Sequence, residues 1–213
     1  MKSTIRLHGL VSFDRSAKAR WLLTELGLEF QDRWLNRETK EIESAEFLRL
    51  NPMGRIPVLE IGDQAMCESG AICAYLADRY LESGLAPALD SPGRMHYQQW
   101  MYFASATLDV IQTRIMVIED IPAGEVRTEK EAALVSELHD ALTTLDSTLA
   151  KNTYLVANKF SAADICVSYH LYWLKLWPEL DAEWRKFPRL HTYLERLQQM
   201  PSAIKANVFS YKA

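Results

Sequence analysis

Apolar and polar residues near the start of the chain repeat first with the period of a strand and then with that of a helix. Residues 4–10 alternate, with Ile5 and Leu7 as apolar members, and this alternation predicts a strand of about six residues. From Ala17 onward the apolar positions fall at helical spacing as far as Gly27, a residue type that commonly ends a helix. The chain is therefore expected to open with a strand followed by a helix.

Strand and helix patterns continue to alternate up to about residue 80. Short runs with strand character are bounded by turn residues, and the amphipathic runs are bounded by residues that start or stop helices. The expected elements are a strand over Glu29–Leu35, a charged loop with a short helix within residues 36–50, strands over Val58–Ile61 and Ala65–Cys67 joined by a Gly62-Asp63 turn, and a helix over Ser69–Tyr80. The order β-α-β-α-β-β-α is typical of a thioredoxin-like module.

Beyond residue 82 the pattern predicts helices alone. Residues 83–92 are rich in proline and glycine, which indicates a linker. Helical patterns follow over residues 93–118, 126–150, 162–177 and 187–199, and Ser161 and Asp164 have the spacing of a helix capping box. The expected fold is therefore α/β plus all-α, with a thioredoxin-like N-terminal domain (1–82), a linker (83–92) and an all-helical C-terminal domain (93–213).

Composition and charge narrow the classes of function. A chain of 213 residues with 48% hydrophobic residues can bury a substantial core, and its net charge of −4 argues against nucleic acid as a partner. No apolar run reaches the ~18 residues of a membrane-spanning helix, so no membrane contact is expected. The N-terminal residues lead into the first strand without the apolar segment of a secretory signal, and we expect a cytoplasmic location.

The cysteines and histidines are not spaced as metal ligands or as a disulfide framework. Cys67, Cys73 and Cys166 include no CxxC pair, and the five histidines show no i, i+4 spacing. We therefore expect a reducing compartment and no metal site.

A turn and strand in the middle of the first domain have the character of a peptide-binding segment. The stretch Asn51–Ile61 combines a helix stop, a turn glycine and an X-Pro bond before a strand. Pro57 has no N–H for a strand ladder. A cis Ile56-Pro57 bond costs only about 0.5–1 kcal/mol and would leave the peptide groups of Ile56 free. Because Glu68 and Ser69 follow at the start of the next helix, a thiol peptide is the favoured ligand.

The whole chain resembles a cytosolic glutathione transferase of the bacterial, serine-type kind. The resemblance rests on four segments in order: Arg15–Trp21 at the first helix, Asn51–Pro57, Glu68-Ser69 and Phe160–Asp164. It implies glutathione as co-substrate, no metal cofactor, and a homodimer in which the thioredoxin-like half of one subunit meets the helical half of the other.

The resemblance also implies roles for the residues of the peptide-binding segment. The peptide groups of Ile56, beside Pro57, would pair with the cysteinyl moiety of glutathione. Glu68 and Ser69 would hold the γ-glutamyl end, since the free N–H groups at a helix start favour a carboxylate; a plain helix cap is the alternative. Arg55 would reach the glycyl carboxylate. Weaker candidates for that end are Asn51, Lys40 and Arg37.

A hydroxyl is expected to stabilise the thiolate of glutathione. The thiol has a reference pKa of about 8.5, so only a few per cent is ionised at pH 7, and a hydroxyl donor beside a helix N-terminus lowers that pKa. The loop before the first helix offers Ser12 and Ser16 but no tyrosine or cysteine. Ser12 fits the serine-type spacing if one residue is inserted; otherwise Phe13 or Asp14 takes the position. For either serine, an ordinary helix cap is the alternative.

Conjugation of glutathione to a small hydrophobic electrophile is the function that these features favour. Without a cysteine in the loop, mixed-disulfide chemistry lacks its sulfur nucleophile. Tyr97, Tyr102 and Arg114 on the long helix after the linker, with the tail Phe209–Tyr211, are candidates to contact the electrophile. Ordinary core packing and an ion pair at Arg114 are the alternatives. The competing functions are a glutathione-dependent isomerase or dehalogenase, and a non-catalytic transferase-like module that binds other proteins.

Overall fold

The structure, a computed structural model, describes residues 4–118 and 120–211. Contacts among the described residues divide the chain into two compact units. The first contains the chain up to Ala86 together with the segment from Gln198 onward, and the second runs from Pro87 to Leu197. The first change of unit falls within the predicted linker at 83–92. The C-terminal segment differs from the prediction, because it belongs to the first unit rather than to the helical domain expected over 93–213.

The first unit has the element order of a thioredoxin-like module. Its elements are β1 (Ile5–Gly9), α1 (Ser16–Glu25), β2 (Gln31–Trp34), a 3-10 turn (Glu41–Glu43), α2 (Ala45–Leu50), β3 (Val58–Ile61), β4 (Gln64–Cys67), α3 (Ser69–Arg79) and a second 3-10 turn (Leu81–Ser83). Gly27 follows α1 with a φ of 64°, as a helix-ending glycine should. The β-α-β-α-β-β-α prediction is confirmed, with β2 shorter than expected and exposed along its length.

The described strands form one mixed sheet in the order β2-β1-β3-β4. β1 runs parallel to β2 and antiparallel to β3, and β3 is antiparallel to β4. In register, His8 lies opposite Val58, and Val58 lies opposite Cys67. The predicted Gly62-Asp63 turn joins β3 to β4.

Apolar side chains hold the helices of the first unit in place. α1 and α3 pack against each other, and Trp21, Ile72 and Leu76 on these helices have almost no exposed surface. α2 is held by Phe47, which is buried in a cluster with Val58. The short α2 therefore lies beside the start of β3, within the peptide-binding segment.

The second unit is helical, as expected. Its elements are α4 (Gly93–Tyr102), a π-helical segment (Phe103–Leu108), α5 (Asp109–Ile118), α6 (Glu125–Leu149), α7 (Ala162–Lys175), a 3-10 turn (Pro178–Leu180), α8 (Asp181–Trp184) and α9 (Pro188–Gln198); α10 (Pro201–Lys205) belongs to the first unit. The helix predicted over 93–118 is thus interrupted by a π segment. Within residues 4–118 and 120–211, no helix has the length and apolar character needed to cross a membrane.

The predicted capping box is present at the start of the central helix, α7. Asp164 has no exposed surface, and its carboxylate accepts hydrogen bonds from the Ser161 N–H (2.9 Å), the Leu155 N–H (3.0 Å) and the Tyr193 hydroxyl (2.7 Å). One carboxylate thereby joins the start of α7 to the preceding loop and to α9. Asp164 has the structural role that its spacing predicted.

Candidate active site

Three segments that the sequence singled out meet at one end of the sheet. β1 leads into the loop that carries Ser12, β3 begins directly after Ile56-Pro57, and β4 leads into Glu68-Ser69. Because β3 is antiparallel to both of its neighbours, the end of β1, the start of β3 and the end of β4 lie side by side. The fold therefore brings the segments that carry a hydroxyl, a peptide edge and a helix start to the same end of the sheet.

A single carboxylate shapes the loop between β1 and α1. Asp14 Oδ2 accepts hydrogen bonds from the backbone N–H groups of Leu10 (2.7 Å) and Val11 (2.9 Å), and Asp14 Oδ1 accepts one from the Ser16 N–H (2.6 Å). Phe13 is buried. The two alternatives for the catalytic position thus have structural contacts of their own, and both oxygens of Asp14 are engaged.

The two candidate serines lie in different surroundings. Ser16 begins α1, has no exposed surface, and its Oγ accepts a hydrogen bond from Arg20 Nη2 at 3.0 Å. Ser12 is partly exposed, and it is its backbone carbonyl that accepts a hydrogen bond from Arg20, through Nη1 at 3.2 Å. Of the two hydroxyls, that of Ser12 is therefore the one that a ligand can approach.

A buried arginine orders the loop. Arg20 Nε lies 3.0 Å from each carboxylate oxygen of Asp32, and the guanidinium carbon lies 4.3 Å from the ring centroid of Trp34. Gly9 leaves room for this arrangement, since a Cβ there would lie 2.5 Å from Ser16 Oγ and 3.3 Å from Arg20 Nη2. Ser16 thus belongs to the hydrogen-bonding network of Arg20, which fixes the loop from α1.

The segment before β3 presents an unpaired peptide edge. The Ile56-Pro57 bond is cis, and among residues 4–118 and 120–211 no backbone hydrogen bond involves Ile56. Asn51 is buried; its Nδ2 donates to the Arg55 carbonyl at 2.7 Å and its Oδ1 accepts from the Met53 N–H at 3.1 Å. Asn51 therefore shapes the turn, and the exposed Arg55 side chain is the better placed of the two to meet a ligand.

Glu68 enters α3 through an unusual backbone conformation. Its φ is 67° and its ψ is 105°, a combination of backbone angles that residues other than glycine rarely adopt. Such a conformation costs about 1–3 kcal/mol and is concentrated at functional sites. The Glu68 side chain is exposed, whereas Ser69 is buried at the first position of α3. The turn therefore places an acid beside the free N–H groups of a helix start.

The cysteine next to this turn is not arranged as a nucleophile. Burial raises the pKa of the Cys67 thiol, and the charge of Glu68 raises it further. Cys67 Sγ donates a weak hydrogen bond to the Leu50 carbonyl at 3.8 Å. Cys67 is thus protonated near neutral pH. In the described part of the chain, no group of three or more His, Cys, Asp or Glu side chains is placed to hold a metal ion.

The C-terminal tail reaches the Ser12 loop. The Phe209 ring packs edge-on against Trp21 with centroids 5.3 Å apart, and the Tyr211 ring packs against Phe13 at 6.0 Å. Ser210 Oγ lies 3.3 Å from Ser12 Oγ. The tail, proposed from sequence as part of the electrophile site, therefore contacts the loop that carries the candidate catalytic serine.

The three residues predicted to contact the electrophile lie on the α4–α5 segment in different environments. Tyr97 has no exposed surface, and its ring lies 5.1 Å from the Arg94 guanidinium carbon. Tyr102 is 70% exposed. Arg114 forms an ion pair with Glu137, the alternative that the sequence left open. Tyr102 is thus the most accessible of the three.

Arg20 and Ser210 lie in segments that the sequence singled out, Arg15–Trp21 and the tail Phe209–Tyr211, but their contacts with Ser16 and Ser12 were not predicted. Arg20 carries a signal, because it stands four residues after Ser16 and therefore on the same face of the predicted helix. Ser210 carries none, since 198 positions separate it from Ser12 and only the fold brings them together.

Known proteins resemble both halves of the chain. The family models "Glutathione S-transferase, N-terminal domain" and "Glutathione S-transferase, C-terminal domain" match residues 3–78 and 125–196. The chain is 30% identical to Glutathione S-transferase GstB of Escherichia coli K12, over 86% of this chain and 88% of that protein. It is also 30% identical to Elongation factor 1-gamma 3 of Oryza sativa, over 75% of this chain but 38% of that protein. The crystal structure of a glutathione transferase family member from Pseudomonas fluorescens, with two glutathione molecules bound, superposes with a TM-score of 0.84 at 25% identity, over 96% of this chain and 92% of that one.

Proposed function

The chain belongs to the glutathione S-transferase family, and from this we propose that it conjugates glutathione to a small hydrophobic electrophile through a thiolate stabilised by Ser12. The observation that carries the proposal is the meeting of Ser12, the unpaired peptide edge of Ile56 and the Glu68-Ser69 turn at one end of the sheet. A γ-glutamyl tripeptide offers a matching group to each: its thiol to Ser12, its cysteinyl backbone to Ile56, and its γ-glutamyl end to Glu68-Ser69.

Glutathione would bind through its three residues. The N–H and C=O of Ile56, beside Pro57, would pair with the cysteinyl backbone. The γ-glutamyl carboxylate would meet Ser69 and the start of α3, where N–H groups and the helix dipole favour an anion, and Glu68 would face the ammonium. Arg55, whose side chain is exposed, would reach the glycyl carboxylate.

Ser12 would then act on the sulfur. A hydroxyl that donates to the sulfur stabilises the thiolate over the thiol and lowers the thiol pKa from its reference of about 8.5. The thiolate lone pair forms a C–S bond to the electrophilic carbon, while the leaving group departs with its bonding electrons. Ser12 is favoured over Ser16 because the Ser16 hydroxyl is buried and already accepts from Arg20.

Two alternatives use the same features differently. An isomerase or dehalogenase would share the glutathione site but catalyse a different reaction, in which glutathione is a recycled cofactor. A non-catalytic module is supported by the match to Elongation factor 1-gamma 3, but such a module has no need of an accessible hydroxyl beside the peptide edge. A cytoplasmic homodimer is part of the proposal, and gel filtration with light scattering tests the dimer.

Glutathione binding is tested by thermal unfolding. Glutathione at 100 times its Kd should stabilise the protein by about 2.7 kcal/mol, or about 5–10 °C for a chain of this length. A Glu68→Gln variant should lose most of the shift, and Glu129→Gln, at an exposed position of α6, should keep it. No shift at millimolar glutathione would refute the proposed ligand.

Conjugation is tested with a chromogenic electrophile. Activity should fall at least tenfold in Ser12→Ala, because the variant cannot donate to the sulfur, and it should persist in the matched control Ser136→Ala, a change at an exposed position of α6. Glutathione binding without any conjugation, across several electrophile classes, would favour the non-catalytic module. Full activity in Ser12→Ala would overturn the role of Ser12.

A further inference from the structure

A second serine hydroxyl lies beside the proposed catalytic one. Ser210 Oγ is 3.3 Å from Ser12 Oγ, and it is also 2.7 Å from the carbonyl oxygen of Asn207. Both serines are partly buried. The pair joins the loop before α1 to the C-terminal tail, although the two residues are far apart in the sequence.

Contacts on both sides of Ser210 fix its position. Ser202 lies on α10, the helix that precedes the tail. It accepts a hydrogen bond from Trp21 Nε1 at 2.9 Å and also contacts Glu25, so α10 is held against α1. Phe209 packs on Trp21, and Tyr211 packs on the ring next to Ser12. The Ser210 hydroxyl is therefore held in place by aromatic packing and does not depend on a single hydrogen bond.

The single proton of Ser210 has two possible acceptors. A serine hydroxyl donates one hydrogen bond and accepts up to two, whereas a carbonyl only accepts. Ser210 can thus donate to Asn207 or to Ser12, but not to both at once. While Ser210 donates to Asn207, the Ser12 proton can point at Ser210 Oγ. Once the Ser12 proton is directed at a thiolate, Ser210 can turn its proton to Ser12 Oγ, which is then free to accept.

We propose that Ser210 is a positioning residue for the transferase reaction: it donates to Ser12 Oγ when glutathione is bound, so that Ser12 donates to the sulfur. Successive hydrogen bonds polarise one another, and a hydroxyl that accepts a bond becomes a better donor. The inference rests on the proposed role of Ser12 and extends the active site to the C-terminal tail. Ser210 itself does not touch the substrate; it acts only through Ser12.

The test measures the thiolate of bound glutathione by its ultraviolet absorbance as a function of pH. Removing the Ser210 hydroxyl in Ser210→Ala should reduce the thiolate-to-thiol ratio at a fixed pH about two- to tenfold, the range of a single hydrogen bond. The titration should move to higher pH accordingly. Ser210→Thr keeps a hydroxyl and should restore most of the thiolate, whereas Ser136→Ala should match the wild type.

A double-mutant cycle separates action through Ser12 from any other effect. In the Ser12→Ala background, Ser210→Ala should cause no further loss, because the intermediary is already gone. An undiminished loss in that background, or no loss from Ser210→Ala in the wild type, would overturn the inference. A gain of thiolate in Ser210→Ala would also overturn it, since Ser210 would then compete for the Ser12 proton.

Failure of the proposed function gives a different result. If wild-type protein shows no thiolate with saturating glutathione, or if Ser12→Ala titrates like the wild type, the role of Ser12 is refuted and the role of Ser210 with it. If Ser12→Ala loses the thiolate and Ser210→Ala does not, only the inference about Ser210 fails.

Discussion

Replacing Glu68 by glycine should leave the unliganded protein more stable than replacing it by alanine, while both variants bind glutathione less well. Glu68 has a φ of 67°, and its exposed side chain makes no hydrogen bond to another described residue. Both substitutions remove the same carboxylate. They differ in whether a Cβ remains at a position whose backbone disfavours one.

The magnitude follows from two opposing free energies of the backbone. A Cβ in the left-handed region costs about 1–2 kcal/mol in the folded state. The greater freedom of glycine in the unfolded chain offsets about 0.4–1 kcal/mol of the gain. Glu68→Gly should therefore exceed Glu68→Ala in stability by about 1 kcal/mol, or ~2–4 °C in melting temperature for a chain of this length.

The assay is thermal unfolding of the wild type, Glu68→Gly, Glu68→Ala and Glu68→Gln, each with and without glutathione. The Gln variant keeps the Cβ and most of the side chain, so it isolates the negative charge. All three variants should show a smaller glutathione-induced shift than the wild type. The Gly variant should combine the highest unliganded midpoint with a weak response to glutathione.

Two results would refute this reasoning. Glu68→Gly melting below Glu68→Ala would show that the backbone at this turn carries no excess free energy. An undiminished glutathione shift in all three variants would show that the Glu68 carboxylate does not contact the ligand.

Three further perturbations test the packing that supports the site and the helical unit. Gly9→Ala should destabilise the protein by about 1–3 kcal/mol and lower activity, because its Cβ would meet a buried serine oxygen; unchanged urea unfolding would contradict this. Asp164→Ala should cost about 3 kcal/mol or more, since four buried donors lose their acceptor, and urea unfolding measures it. Burial alone would raise the pKa of Glu183, but hydrogen bonds from Lys186 and His139 outweigh it and lower that pKa. The stability advantage of the wild type over Glu183→Gln should therefore be full above the ordinary glutamate pKa of about 4.3 and should shrink as the pH falls below it, as denaturant unfolding from pH 7 to 3 would show.

Local signals in the sequence predicted the elements well. The Gly62-Asp63 turn, the stop at Gly27 and the capping box at Asp164 all depend on chemistry within a few residues, and the structure contains each of them. The π segment after Tyr102 has no such signal, because neither proline nor glycine marks it. The segment packs against α7, a contact that a single sequence does not display.

The choice between the two serines depended on tertiary contacts. Both serines were predicted in the same loop and have the same hydroxyl group, so their spacing alone could not decide which one stabilises the thiolate. Burial of Ser16 and its hydrogen bond from Arg20 set the two apart. The position of Ser210 was equally out of reach, since it depends on a tail that the helical pattern assigned to the other domain.

The division of the first unit between two distant stretches of the chain has a consequence for biosynthesis. The ribosome makes the strands of that unit first and the whole of Pro87–Leu197 next, before the segment that packs on Trp21. While the residues of the intervening helices are being made, Trp21 on α1 therefore lacks its contact with Phe209. The contact between Ser12 and Ser210 can therefore form only at the end of this order, after translation has passed Ser210.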